Sequence, residues 1–220
     1  MRGDKIVIEE HHRRAASDIV QSLIKAINAK HRRYIITVAG ESGSGKSETG
    51  KAIQEALREK NIKAFVLGQD DYFVLPPHSN DAKRREDPQW LGPHVELNLE
   101  LLEKNILEAV KGEKVITKPL IDYDQDDIFE EIVDLGGVKV LIAEGTYTSL
   151  IRNVDQRIFI DRDYEETLAH RVKRNRGDEV GDPFVEGILE TEHKIIAGHK
   201  HLADIIITKD YDVVFTEKVT

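Results

Sequence analysis

The segment Gly40-Glu41-Ser42-Gly43-Ser44-Gly45-Lys46-Ser47 spells GxxxxGK[ST], a pattern that average composition would produce in roughly one chain of this length in a hundred. Glycines let successive backbone N–H groups turn inward as an anion cradle that a Cβ would obstruct. A helix opening at Lys46 adds the partial positive charge of its N-terminus, and the lysine reaches β- and γ-phosphates as a point charge. The Ser47 hydroxyl suits Mg²⁺, and Thr49 joins the expected nucleotide contacts. The loop therefore implies that ATP or GTP is held by its phosphates, with magnesium.

What becomes of the phosphate depends on other strand ends. The run Gly68-Gln69-Asp70-Asp71-Tyr72-Phe73 places acids where a strand closes, which is where ligands of open α/β sheets bind. A carboxylate there can accept the proton of an attacking hydroxyl. The apolar run Val140-Leu141-Ile142-Ala143 ends in Glu144-Gly145, one carboxylate suited to a magnesium-bound water. Arg171, Lys173, Arg174 and Arg176 crowd one region, and a lid bearing arginines would supply charge as it develops and exclude water. A GTPase would carry DxxG after a strand; Asp134 to Gly137 spells it before one and reads as a turn, and NKxD is missing. A motor ATPase would end its apolar strand in paired acids. A small-molecule kinase fits best, with a nucleotide-binding regulatory ATPase that transfers nothing as the alternative.

The elements that must position these groups follow from periodicity. Residues 15–30 repeat apolar positions at helical spacing, with Ser17 or Asp18 as caps. Strands are expected at 34–39, 62–67, 114–117, 138–143, 157–160 and 204–208, and helices at 46–60, 97–110, 164–174 and 183–200. Strands alternating with helices imply a three-layer α/β fold, a mostly parallel sheet covered on both faces. Two polar stretches, 76–93 and 175–182, interrupt the alternation and suit substrate contacts or a lid. Residues 1–33 read as a helical extension and 34–220 as the nucleotide-binding domain, with its lid at 174–185.

Composition sets the exclusions. With 40% apolar residues among 220, one sizeable core can form. The net charge of −9 repels nucleic acid and anionic membranes. No run approaches the roughly 18 to 20 apolar residues of a membrane span, and the first thirty residues lack the apolar core of a signal peptide. Without cysteine there is neither a disulfide nor a thiolate metal site. A cytoplasmic protein is expected, acting on a small molecule, with homo-oligomerisation left open.

Taken together, GESGSGKS, LGQDDYF, KPLIDYD, VLIAEGTY, RIFIDRDYEETLAHRVKRNRGD and HLADIII, in that order from about Tyr34 to about Ile207, resemble the uridine kinase and phosphoribulokinase family of P-loop kinases. The resemblance implies transfer from ATP with Mg²⁺ to a hydroxyl. It makes Asp70 the base, Lys46 the phosphate lysine, Ser47 and Glu144 the magnesium shell, and Arg171, Arg174 and Arg176 the lid arginines. Asp70, Tyr72, His94, Asp122, Tyr123 and Asp126 become the expected acceptor contacts. Uridine kinases place Asp-His-Pro, and a Tyr-Asp pair followed by His, around the nucleoside, whereas Leu91-Gly92-Pro93 and Ile121-Asp122 stand here. Ile121 cannot stack a base as an aromatic would. The stretch Trp90 to Asn98 is closer to phosphoribulokinases, and the acceptor is expected to be a nucleoside or a sugar or polyol.

Overall fold

The computed structural model describes residues 6–167 and 182–216. Six strands form one sheet in the order β2 (Ala64–Gly68), β5 (Val140–Glu144), β1 (Tyr34–Gly40), β6 (Gln156–Ile160), β7 (Ile205–Ile207) and β8 (Val213–Phe215). The pairings are parallel except β7 with β8. The first connection after β1 runs to one side of it and β6 lies on the other, so the strand order reverses at β1. That crevice is where open α/β sheets take their ligands, and the glycine loop leaves β1 into it.

Alternation along β1 feeds both faces. Tyr34, Ile36 and Val38 join one buried cluster with Ile19, Val20, Leu23 and Ile27 of α1 (Glu10–Ala29) and Ile53 and Leu57 of α2 (Lys46–Glu59). Ile35 points the other way, into a cluster with Leu102 and Ile106 of α4 (Leu99–Lys111). A period of two in the strand thus meets the 3.6-residue stripes of helices on either side. The acidic α1 start differs from the expected caps at Ser17 and Asp18. The helix begins five residues before the expected start at Ala15, because Glu9 caps it and the Glu9 N–H donates to His12 Nδ1 at 3.0 Å. Among the described residues, no helix is long and apolar enough to cross a membrane.

Three further differences concern the acceptor side. The short strand expected at 114–117 runs as β3 (Val115–Asp122) and pairs antiparallel with β4 (Asp127–Asp134), a two-stranded hairpin apart from the main sheet. The polar stretch 76–93 contains a helix that its periodicity does not show: Pro77–Glu86 form α3, entered through Pro77 at its first turn, where proline's fixed φ is suited and its missing N–H costs nothing. The expected helix at 183–200 closes as an α-helix at Ile196, α5 (Pro183–Ile196), and continues as a 3₁₀ turn over Ala197–Leu202. Of the helix expected at 164–174, residues 164–167 form a turn and 168–174 lie outside the described residues. Asp134 to Gly137 is a turn, the Asp134 carboxylate accepting the Gly136 N–H at 2.7 Å.

Candidate active site

The glycine loop is held open from behind. Gly45 has φ +94°, and a Cβ there would lie 2.1 Å from Tyr211 Oη and 3.0 Å from His12 Nε2, so glycine is required both for backbone conformation and for close approach. Tyr211 Oη donates to the Ser44 carbonyl at 2.6 Å. The Glu41 carbonyl accepts from Ser44 N at 3.1 Å and from Lys46 Nζ at 2.8 Å. The lysine therefore reaches across the loop mouth. Thr49 is wholly buried one turn into α2.

A cleft of about 540 Å³ opens in front of the loop, lined at one end by Ser42, Gly43, Lys46 and Ser47 and reaching Asp70 and Glu144. Ser47 Oγ donates to Glu144 Oε2 at 3.2 Å. Burial, reinforced by the neighbouring Asp70 charge and opposed by Lys46, pushes the Glu144 carboxyl up to about 7. Two carboxylates near a serine hydroxyl are hard oxygen donors, and Mg²⁺ characteristically takes one or two protein carboxylates and completes its shell with substrate phosphates and water. Among the described residues no cluster of three or more His, Cys, Asp or Glu forms a closed cation cage. The donor set fits a magnesium ion shared with a nucleotide.

The two adjacent acids part company. In the 3₁₀ turn Gln69–Tyr72, Asp70 lines the cleft, while Asp71 is buried on Lys118 Nζ at 2.7 Å and the Ile121 N–H at 3.1 Å. The same turn buries Tyr72, whose Oη donates to Asn105 Oδ1 at 2.8 Å.

The far wall is made by α3 and the segment before α4. Asn80 and Arg84 stand four apart on α3, and both donate to Glu96, which is 1% exposed. The Glu96 carboxylate takes Arg84 at 2.6 and 2.7 Å and Asn80 Nδ2 at 3.1 Å, and its second oxygen takes the Gly92 N–H at 3.1 Å. Arg85 bridges Asp81 and Asp182, each at 2.9 Å, and lies over the Phe184 ring at 4.1 Å, so α3 is tied to the start of α5. None of these groups was singled out by sequence. The spacing of Asn80 and Arg84 is the one local signal; Glu96 is joined to them only by the fold.

From α5, Glu192 reaches the glycine loop: its carboxylate accepts the Ser42 N–H at 2.9 Å and Ser42 Oγ at 3.2 Å. Beside it His193 Nδ1 meets Glu41 Oε1 at 2.6 Å. Burial raises the Glu41 carboxyl against that hydrogen bond. A second cavity of about 560 Å³ lies on the Glu41 side of the loop, between Arg162 after β6 and Lys209 after β7.

The structure thus brings Ser42, Gly43, Lys46, Ser47, Asp70, Tyr123 and Glu144 to one cleft. Gly40 ends β1 beneath the loop, and Glu41 faces the second cavity. His94 is exposed and is not among the residues lining either cavity described. Asp122 is buried in the hairpin turn, accepting the Asp124 and Gln125 N–H groups at 3.1 Å, and Asp126 takes the Ser79 hydroxyl and the His78 N–H, both at 2.7 Å. Tyr72 is core. Arg171, Arg174 and Arg176 lie outside the described residues.

A parallel sheet reversing at a GxxxxGKS loop, with an acid at the next strand end, defines a P-loop kinase. The chain belongs to the phosphoribulokinase/uridine kinase family, whose model matches residues 35–217. It is 30% identical over 187 residues to a uridine kinase of Bacillus thuringiensis (strain Al Hakam), covering 80% of this chain and 86% of that one. It is 27% identical over 197 residues to the bifunctional alpha-galactosidase/sucrose kinase AgaSK of Mediterraneibacter gnavus, covering 84% of this chain. The match spans only 21% of AgaSK. Among solved structures, D-glycerate 3-kinase of Cryptococcus neoformans superimposes with a TM-score of 0.62 at 13% identity, covering 95% of this chain and 99% of that one. That likeness speaks to the fold.

Proposed function

We propose that this kinase transfers the γ-phosphoryl group of ATP to a hydroxyl of a neutral sugar or polyol. The observation that carries the reading is the placement of Asp70, a cleft-lining carboxylate between the phosphate loop and a polar far wall. Its task is to accept the proton of the attacking hydroxyl. Lys46 and the inward amides of the loop neutralise charge on the phosphates. Mg²⁺ bound with the nucleotide would be held by Ser47 and Glu144 and would offset phosphate charge. The base and ribose of ATP suit the second cavity, which meets the loop on the side opposite Asp70.

A neutral acceptor is favoured because the arginines of the far wall are already paired: Arg84 with Glu96, Arg85 with Asp81 and Asp182. Polyhydroxylated ligands match such a fixed set of donors and acceptors. The AgaSK relative supports a sugar, the uridine kinases a nucleoside; Ile121 is wholly buried and offers no ring for a base.

The test is ADP release with sucrose, D-fructose, D-glucose, glycerol and uridine, for the wild type and Asp70→Asn. The expected outcome is stimulation by a sugar or polyol, abolished in Asp70→Asn, with ATP affinity changed less than about threefold. Stimulation by uridine alone would overturn the acceptor assignment. Tight ATP binding with no acceptor-dependent turnover would mark a nucleotide-binding regulator instead.

A further inference from the structure

Past Glu144 the chain turns sharply at Gly145, where φ is +156° and a Cβ would stand 2.2 Å from Gln69 Cβ. The turn brings Tyr147 under the cleft, with its N–H donating to Gln69 Oε1 at 2.8 Å. The ring belongs to the α4-side core, the residue is 2% exposed, and it lines the cleft that holds Asp70. Its hydroxyl is buried and has no hydrogen-bond partner among the described residues. Of the other buried tyrosines, Tyr72 and Tyr211 donate, to Asn105 and to Ser44.

An unpartnered buried hydroxyl is destabilising, and phenylalanine would fill the same volume without it. Packing therefore explains the ring of Tyr147 and not its oxygen. The charges acting on that oxygen are Glu192, Glu96 and Arg84, all cleft residues. Glu192 is engaged with Ser42, and Glu96 with Arg84, Asn80 and the Gly92 N–H. They hold a polar wall in place around a hydroxyl that can donate one hydrogen bond and accept another.

We propose that Tyr147 Oη is a specificity-determining group of the acceptor site, hydrogen-bonding a hydroxyl of the sugar or polyol other than the one Asp70 deprotonates. The assignment rests on the kinase reading above. It sharpens the acceptor class to molecules with at least two hydroxyls, one reacting and one recognised. Sites built to bond a ligand hydroxyl discriminate against analogues lacking it, because the protein group is then left unpaired.

The test is Tyr147→Phe with steady-state kinetics on sucrose, D-fructose, D-glucose and glycerol, followed by monodeoxy derivatives of whichever the wild type uses best. The expected result is a rise of about tenfold in KM for that acceptor, one net hydrogen bond. KM for ATP should stay constant and the melting midpoint should stay equal or rise. One monodeoxy derivative should be used about tenfold less well than its parent by the wild type and equally well by Tyr147→Phe. Equal acceptor KM values in the two proteins would overturn the role of Tyr147, and so would a lowered melting midpoint, which reveals an internal partner. No turnover by the wild type on any of the four would overturn the sugar kinase reading and this assignment with it, an outcome distinct from a working wild type matched by its variant.

Discussion

Lys118→Met tests how the hairpin positions the strand end that carries Asp70. Lys118 and Asp71 meet at 2.7 Å with 4% and 5% of their side chains exposed, and Asp71 also accepts the Ile121 N–H. Methionine fills the space of the lysine stem but takes the Lys118 cation away from the buried Asp71 carboxylate. Breaking a buried pair from one side costs roughly 3–5 kcal/mol, against near neutrality when both charges go. For a chain of this size that is roughly 6–20 °C in melting midpoint, at about 2–4 °C per kcal/mol. The second contact of Lys118, to Glu131 at 2.9 Å, adds little because that carboxylate is 41% exposed. Thermal unfolding by circular dichroism, with and without Asp71→Asn, separates the contributions. Asparagine still accepts the Ile121 N–H, so the double variant should recover most of the loss. Turnover measured well below the midpoint should fall in Lys118→Met and recover in parallel, since Asp70 adjoins Asp71. A loss below about 1 kcal/mol, or a double variant no more stable than the single, would refute the reasoning.

Glu192→Gln removes a negative charge that caps Ser42 at the loop mouth while retaining an oxygen that can accept the N–H. ATP affinity measured by calorimetry should tighten about three- to tenfold, since the phosphates no longer face that carboxylate; weaker binding would contradict it. Glu144 gives a pH signature. Its carboxyl is raised from 4.5 to about 7 in the folded protein, so the fold binds a proton that the unfolded chain releases. The associated stability is complete below about pH 4.5 and is lost as pH rises through about 7. Melting curves of the nucleotide-free protein should therefore show wild type losing ground to Glu144→Gln between about pH 5 and pH 8; parallel curves would contradict it.

The main elements were legible where the apolar pattern is strong, as in Tyr34–Gly40 and Val140–Glu144, both nearly solid with β-branched or aliphatic residues. Three elements were missed: β8, whose three residues are too few to show a period, and two others for a shared reason. α3 (PHSNDAKRRE) has no apolar stripe, because its buried side is held by Asn80 and Arg84 on Glu96. β4 (DIFEEIVD) carries four acids and is mostly exposed, its order coming from pairing with β3 and from packing of Val133. Elements stabilised by polar contacts to distant segments leave a weak periodic signal.

By itself the sequence determined the phosphate loop, since eight contiguous residues between a strand and a helix supply its glycines, amides, lysine and serine. It also determined that acids close the second strand, and that Glu144 closes the apolar run Val140-Leu141-Ile142-Ala143. The resemblance named Asp70 rather than its chemically identical neighbour, but only the tertiary structure supplies the physical reason: Lys118, 47 residues from Asp71, holds Asp71 away from the cleft that Asp70 lines. The tertiary structure also decided that His94 and Asp122 stand away from the cleft while Arg84, Glu96, Tyr147 and Glu192 surround it. Glu192 meets Ser42 across 150 residues. Side chains this far apart along the chain become neighbours only when the sheet order is fixed and both its faces are buried.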